Sequence, residues 1–551
     1  MMNPLDEPTG HLDTFCRDFL PPRELWPRFH YDSLPELAYP RRLNCAAELL
    51  ASRAGGDSER TAILFPGGRW SYRELSEAVD RVARVLTEDL GVVPGNRVLL
   101  RSPNTPLLAA CWLAVVKAGG VVVCTMPMLR RRELSYIAAK ARIRLALTDA
   151  RLAPECEEAM ATVDGGRVVR FQGGGEPGSQ ETSLEALMAG KPADFTPCDT
   201  AADDVAAILF TSGTTGQAKG TLHFHRDVLA VTDCFPRYVL KPAADDIFCG
   251  SPSLAFAYGI GGLLLFPLRF GAATLLLEQV TPPHLLQGIQ DHRATICFSV
   301  PAAYRVLTGL AGNYDLSSLR RCISAGETLP AATYEAFRTA TGLRIIDGIG
   351  STEMLHQFIS SADGDIRPGS TGKVVPGYQA KAVDETGEEV PRGEIGRLAV
   401  CGPTGCRYLD DPERQQGYVQ NGWNLTGDAY RQDVDGYFWY QARTDDMIVS
   451  SGHNIAGPEV EGVLLEHPKV RECGVVGIPD EERGLVVKAF IVLNPGAEPG
   501  EATARELQDF VKSQIAPYKY PRQIEFVESL PRTETGKLQR FRLRQGFAPS
   551  A

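Results

Sequence analysis

Between Phe210 and Thr221 the chain reads FTSGTTGQAKGT, a run that gathers hydroxyls and glycines around one lysine. Thr211, Ser212, Thr214 and Thr215 bring O–H groups; Gly213, Gly216 and Gly220 leave the backbone open; Lys219 adds a positive charge. Many donors in one small concavity suit a polyanion such as a nucleotide polyphosphate. The spacing is not that of the P-loop, which places four residues between its glycines and a lysine directly after the second. Here two residues separate Gly213 from Gly216 and two more precede Lys219. Nucleotide use without kinase- or GTPase-like chemistry is the expectation, and a Gly/Thr-rich surface turn is the competing reading.

Other segments carry complementary groups, each with a plainer alternative. In Asp347–Met354, DGIGSTEM, a Gly-rich turn precedes Ser351, Thr352 and Glu353. A hydroxyl there suits a phosphate oxygen and the carboxylate suits a Mg²⁺ that screens ATP, although a helix cap would use the same residues. Ser324-Ala325-Gly326-Glu327 follows a strand-like run and reads equally as a strand-to-helix turn. In Thr426-Gly427-Asp428 the carboxylate, an acceptor only, suits both hydroxyls of a ribose; by itself the tripeptide is a turn. Lys537, in Pro531–Arg540, PRTETGKLQR, is on composition alone a solvated lysine.

Taken in order along nearly the whole chain, these segments resemble the adenylate-forming superfamily of acyl-CoA synthetases, peptide-synthetase adenylation domains and luciferases. The resemblance implies roles. Thr211–Thr215 and Lys219 would hold the β- and γ-phosphates of ATP, and Ser324–Glu327 would contact adenine. Asp347, Gly348 and Ile349 would line the adenylate pocket, Thr352 would bind the α-phosphate, and Glu353 would approach Mg²⁺. Asp428 would take the ribose and Arg443 the ribose or phosphate, with Asp445 as the hinge. Gly452 would line the coenzyme A passage, where a missing side chain permits close approach. Lys537 would be the catalytic lysine that bridges the substrate carboxylate and the α-phosphate, stabilising charge in the transition state. The chain departs from the family at Ile349, commonly a Tyr stacked near adenine, at Ala442, usually Gly, and at Val449, commonly Lys.

The acid pocket is expected at Ser253–Gly262, SLAFAYGIGG. Phe256 and Tyr258 provide flat walls, while Ala257, Gly259, Gly261 and Gly262 leave room for a ring; a packed core strand with a glycine bend is the alternative. Gly350 and His356 join the list by resemblance, since FAYG and GSTEMLH are similar to benzoate-CoA ligases. The stretches HLDTFCRDFLPPRELWP and YPRRLNCAAELL are most similar to 2-aminobenzoate-CoA ligases. The implied reaction joins an aromatic carboxylic acid, ATP and coenzyme A into aryl-CoA, AMP and pyrophosphate through an acyl-adenylate. A medium-chain fatty acyl-CoA synthetase and an adenylation enzyme that loads a separate carrier protein are the alternatives; no fused carrier domain is expected after Lys537. A non-catalytic nucleotide sensor would be expected to lack Lys537 or Glu353, and both are present.

These groups need scaffolding, and the pattern supplies it. From about Asn44 short apolar runs alternate with helical segments: Thr61–Phe65, Ser71–Asp89 with Ser71 and Glu74 as a capping box, Arg97–Leu100, Leu107–Ala118 and Val121–Cys124. Val205–Phe210, Ile247–Gly250, Thr274–Leu277, Thr295–Ser299 and Leu343–Asp347 continue the rhythm, which predicts α/β layers with largely parallel sheets. After about Val375 closely spaced strands and turns predict a β-rich subdomain. Beyond Asp445 the pattern predicts a small α+β domain: helix Glu459–Glu466, strands Cys473–Val476 and Val486–Leu493, and helix Ala502–Gln514. The expected division is 1–443, carrying nucleotide and acid, and 444–551, a mobile domain carrying Lys537. The Pro- and aromatic-rich first forty residues are expected to wrap across the larger body.

Composition agrees. At 551 residues the chain is too long for one ordinary core; 44% hydrophobic and 23% charged residues are ordinary for a soluble globular protein. A net charge of −11 argues against a nucleic-acid surface. Thirteen cysteines without a CxxC pair predict reduced, mostly buried thiols rather than a zinc site or disulfide framework. The acidic N-terminus lacks a signal-peptide layout, and Leu107–Cys124 and Gly259–Leu277 are interrupted by charge, Gly or Pro, so no membrane span is expected. A cytoplasmic protein is the expectation, monomer or homodimer.

Overall fold

The computed structural model describes residues 7–51, 57–171, 183–211, 218–444, 446–450, 453–480, 484–532 and 538–546. Two largely parallel sheets form the centre. In the first, Arg167–Phe171, Leu145–Asp149, Arg97–Arg101, Val121–Thr125 and Val205–Thr211 lie side by side in parallel, and Lys219–Phe224 closes the edge antiparallel to Val205–Thr211. In the second, Ile345–Ile346, Arg321–Ser324, Ile296–Ser299, Ile247–Gly250, Ala273–Leu275 and Thr61–Phe65 run parallel, with Gly68–Ser71 folding back as a hairpin. Strands covered on both faces read as unbroken apolar runs, as Val121-Val122-Val123 and Leu145-Ala146-Leu147 do.

Helix Pro106–Lys117 is buried from Leu108 onward in the largest core cluster. Its Lys117 ion-pairs with Asp80 in that interior, which accounts for a charge inside an apolar run. The Ser71–Glu74 capping box is present, with donor–acceptor distances of 3.1 and 2.7 Å. The helix it starts, Tyr72–Arg84, gives way at Val85–Asp89 to a wider π turn, so its α-helical part ends earlier than expected. Among the described residues no helix is long and apolar enough to cross a membrane, and all the cysteines are free thiols.

A β-rich layer follows. Gly348–Gly350, Gln357–Ser360 and Lys373–Val374 form a small antiparallel sheet. Gln379–Val383, Ile395–Cys401, Trp423–Gln432, Val419–Gln420 and Phe438–Arg443 form a larger one. The last sheet comes wholly from residues after 443: His453–Ile455, Ile448–Ser450, Gly484–Leu493, Val470–Asp480 and Gln523–Phe526. Helices Gly457–Glu466 and Glu501–Gln514 pack with it around Val460, Leu464, Leu507 and Val511. The protein is thus α/β, with a large N-terminal part and a small α+β C-terminal one.

Two differences from the sequence pattern have local causes. Val470–Asp480 is longer than the apolar run Cys473–Val476 because it pairs with Gly484–Leu493 along nearly its whole length. Leu343–Asp347 contributes only Ile345–Ile346 to its sheet, since Gly348 onward pairs elsewhere. The N-terminal segment wraps as expected. Phe15, Cys16 and Trp26 are buried, the Trp26 indole donates to the Pro21 carbonyl at 2.7 Å, and Phe29 bridges to Gly402 of the β-rich layer.

Candidate active site

Ligand sites in open α/β sheets lie at the carboxyl ends of parallel strands, and Thr211, Ser324 and Asp347 stand there. Val205–Thr211 delivers the hydroxyl-rich loop and Lys219–Phe224 receives it, with Thr211 paired to Lys219. The loop therefore joins two antiparallel strands instead of opening a helix as a P-loop does. Ser212, Gly213, Thr214 and Thr215 lie outside the described residues, as do Asp445, Gly452 and Lys537.

Lys219 and Glu353 are joined through a residue that the sequence reading missed. Tyr408 donates its hydroxyl to Glu353 Oε1 at 2.6 Å, and Lys219 Nζ sits 5.3 Å from the centre of the Tyr408 ring. Burial first, and then the Glu353 charge, raises the Tyr408 phenol far above its ordinary range, so it remains the donor. The neighbouring Arg407 is fully buried against Asp227 at 2.6 Å and lies 3.9 Å from the centre of the Phe224 ring. Nothing local in GCRYL signals this: Tyr408 and Glu353 are 55 residues apart.

Ser351 does cap locally, its Oγ accepting the Met354 N–H at 3.2 Å, but no helix follows, so the helix-cap reading of STE fails. Thr352 is half-buried beside it. The preceding glycines form the strand Gly348–Gly350, not a free turn. Leu355 has φ +67°, a left-handed conformation costly for a branched side chain, and it introduces His356. Among the described residues no three His, Cys, Asp or Glu side chains gather as a metal cage. A single carboxylate still fits Mg²⁺, which keeps its waters and is held mostly by substrate phosphates.

On the nucleotide side, Ser324 and Asp347 stand at the ends of neighbouring strands, and Ala325 is buried beside them. Gln357 Oε1 is buried with no hydrogen-bond partner among the described residues, and the buried Ser324 Oγ and Asp347 Oδ1 approach each other without a bond of good geometry. Poorly paired buried polar atoms are costly, and these suit a polar ligand edge. Burial raises the Asp347 carboxyl well above the ordinary carboxylate range. Gly326 takes φ +92° where the chain leaves the strand, and helix Ala331–Thr341 follows, so the SAGE segment is also the strand-to-helix turn. A Cβ at Gly348 would lie 2.2 Å from Gln357 Nε2; Ile349, half-buried, packs against the main core. Asp428 and Arg443 face each other on paired strands, with Arg443 Nη1 3.2 Å from Asp428 Oδ1 and 3.0 Å from the Thr426 carbonyl. Gly427 clears this pair, since a Cβ there would fall 2.6 Å from Arg443 Nη2. Glu327 meets the C-terminal part through Arg532 at 3.5 Å.

The acid side excludes one alternative. Ser253–Gly262 is not a strand with a glycine bend. Ala257–Ile260 is a helical turn, continued by a π turn at Gly261–Leu265 and by helix Phe266–Phe270. Phe256 precedes it in extended conformation. Gly259 lies against the Ser253 carbonyl, 1.9 Å from where a Cβ would stand, so the turn closes only on glycine. Tyr258 donates to the carbonyls of Ser299 and Ile323 at 3.0 and 3.1 Å, anchoring its ring at the strand ends. Ala257 is buried.

His356 is the centre of this side. Its ring lies among Phe235, Tyr258, Phe266 and Phe298, with centroid separations of 5.5, 5.8, 4.5 and 6.4 Å. A Cβ on Gly261 would come 2.3 Å from its Cδ2, and one on Gly350 would lie 2.7 Å from its backbone carbonyl. Neither ring nitrogen makes a hydrogen bond of good geometry among the described residues, the nearest partner being the Tyr258 backbone. Burial lowers its pKa to about 3, so the imidazole is neutral at physiological pH. A neutral, poorly paired imidazole in an aromatic cage, three residues from Glu353, can exchange one hydrogen bond with a flat ligand.

Comparison with known proteins gives the family. Two family models match, the AMP-binding enzyme over residues 50–407 and the AMP-binding enzyme C-terminal domain over residues 459–537. The chain is similar to the benzoate–CoA ligase of Thauera aromatica, 36% identical over 524 residues, covering 94% of this chain and 98% of that protein. The mitochondrial acyl-coenzyme A synthetase ACSM3 of Mus musculus is 34% identical over 490 residues, 87% of this chain and 84% of that one. Among solved structures, the anthranilate CoA ligase AuaEII in complex with anthranoyl-AMP has a TM-score of 0.88 at 35% identity, covering 93% of this chain and 98% of that chain.

Proposed function

This chain belongs to the AMP-binding enzyme family as an acyl-CoA synthetase, an acid–thiol ligase, and on that premise we propose that its acid is aromatic, with 2-aminobenzoate or benzoate as the best candidates. The observation that carries this reading is the set of aromatic rings around His356, against which Gly261 packs so closely that a Cβ would clash. An ortho-amino group would donate to, or accept from, the poorly paired imidazole. The similar benzoate–CoA and anthranilate CoA ligases support the substrate class.

In the first half-reaction a carboxylate oxygen attacks the α-phosphorus of ATP, the bond to the β-phosphate oxygen breaks, and pyrophosphate leaves. The hydroxyls of residues 211–215 and the Lys219 ammonium hold the departing phosphates. Thr352 donates to the α-phosphate and Asp428 accepts from the ribose hydroxyls beside Arg443. Asp347, with Ser324–Glu327, takes the polar edge of adenine along Gly348 and Ile349. Mg²⁺ bound with ATP supplies charge screening, and Glu353 is the residue that would hold it. Lys537 bridges the carboxylate and the α-phosphate. In the second half-reaction the coenzyme A sulfur attacks the acyl carbon and AMP leaves. For this step the domain 444–551 turns about Asp445 and brings Gly452 to the thiol passage. Cytoplasmic residence is part of the same reading.

A fatty acyl substrate is the second reading. It draws on the similarity to ACSM3. Acid-dependent pyrophosphate release, measured over benzoate, 2-aminobenzoate, hydroxybenzoates and hexanoate, separates the two. The aromatic acids are expected to lead; faster release with hexanoate overturns the proposal.

A further inference from the structure

We propose that Tyr408 is a positioning residue for the phosphate corner: its hydroxyl fixes the Glu353 carboxylate and its ring carries the Lys219 ammonium, so one side chain sets the spacing of both charges. The proposal rests on the reading above, in which Glu353 faces the Mg²⁺ of ATP.

A glutamate side chain has several soft torsions, and a metal ligand is useful only when its oxygens are held in place. At Glu353 the fixing contact is the 2.6 Å bond from Tyr408, a charge-assisted O–H···O⁻ bond, which is of the stronger class. Tyr408 is itself fixed from several directions. Its neighbours complete a bridge to the loop-receiving strand, with Leu222 N–H donating to the Arg407 carbonyl and Leu409 N–H to the Gly220 carbonyl, both at 2.8 Å. Its own N–H donates to Gln415 Oε1 at 3.0 Å, and its ring stands edge-on to Tyr418 at 5.8 Å. Only 1% of it is exposed. The Lys219 ammonium at 5.3 Å from the ring centre is attracted by the quadrupole, and Lys219 begins the strand that leaves the phosphate loop. A ring needed for packing alone would require no hydroxyl, least of all one buried against a charged acceptor.

The two functions separate by substitution. Tyr408→Phe keeps the ring and removes the hydroxyl; Tyr408→Leu removes both. Calorimetric titration of the enzyme with ATP, in EDTA and in saturating Mg²⁺ and without acid substrate, gives the factor by which Mg²⁺ tightens ATP binding. In Y408F that factor falls by about tenfold or more, while binding in EDTA is unchanged. Y408L also weakens binding in EDTA, because Lys219 loses its platform. Glu353→Gln abolishes the Mg²⁺ factor, and adding Y408F to it changes nothing further. Glu353→Asp keeps the charge but withdraws it from the hydroxyl, and loses the factor as Y408F does; melting curves run alongside show that each variant is folded. If E353Q loses the Mg²⁺ factor while Y408F and E353D keep it, the positioning proposal falls and the Glu353 reading stands. If E353Q keeps the factor, the Glu353 reading falls and the proposal falls with it.

Discussion

His356 is buried, neutral and without a well-formed hydrogen bond, its nearest polar neighbour among the described residues being the Tyr258 backbone, and that combination exposes it to two opposed tests. A buried polar group without a partner costs about 1–3 kcal/mol. His356→Leu is therefore expected to raise the melting temperature of the ligand-free enzyme at neutral pH, while raising KM for 2-aminobenzoate more than KM for benzoate. A loss of stability with both acids equally affected would contradict the poorly paired imidazole. The pH dependence has a definite sign. An unfolded histidine binds a proton below about 6.5, whereas burial holds off protonation of folded His356 until about 3. Over that window the unfolded state binds more protons, so stability falls as pH drops from about 6.5 toward 3. Burial lowers His223 and His225 to about 3 as well, adding to the same trend. Burial lowers His11 too, and H356L removes one of these four contributions, so its melting temperature should fall less than the wild-type value between pH 7 and about 5.

At the scale of elements, the helical turn Ala257–Ile260 and its π continuation hold the acid side together through close approaches that only glycine permits. Gly261→Ala would place a methyl 2.3 Å from His356 Cδ2. It is expected to raise KM for the acid several-fold, with KM for ATP unchanged and a stability cost of roughly 1–3 kcal/mol; initial-rate kinetics with each substrate varied in turn checks it. This segment also marks where the sequence was hard to read. A short apolar run with glycines has no clear period, so SLAFAYGIGG reads as strand or helix until its neighbours are known. The strands that carry the hydroxyl loop, the SAGE turn and Ile345–Ile346 were legible, because parallel strands covered on both faces are uninterrupted apolar runs ended by glycine or polar residues. Tyr408 was not legible, since its partners Glu353 and Lys219 come from distant segments and meet only in the folded protein. The aromatic cage was half legible: Tyr258 and His356 came from their motifs, while Phe235, Phe266 and Phe298 come from three separate segments.

At the scale of the whole molecule, the C-terminal sheet comes from residues after 443 and meets the nucleotide side through Arg532, which lies 3.5 Å from Glu327 and 2.7 Å from Glu472 of its own domain. A division of labour between two poses of that domain predicts that Lys537→Ala suppresses adenylate formation by about a hundredfold or more and leaves thioester formation from supplied aryl-AMP within a few-fold of wild type. Equal loss of both half-reactions, followed by quenched-flow assay of each, would refute the division. The central claim is that an aromatic carboxylate is activated as its adenylate and then passed to coenzyme A. Benzoate carrying heavy oxygen in both carboxylate positions tests it most directly, in competition with an equal concentration of hexanoate, with mass analysis of every product. The account predicts benzoyl-CoA in excess over hexanoyl-CoA, pyrophosphate without label, and one heavy oxygen transferred to each AMP released with benzoyl-CoA. Label recovered in orthophosphate beside ADP, or hexanoyl-CoA as the main thioester, would contradict it.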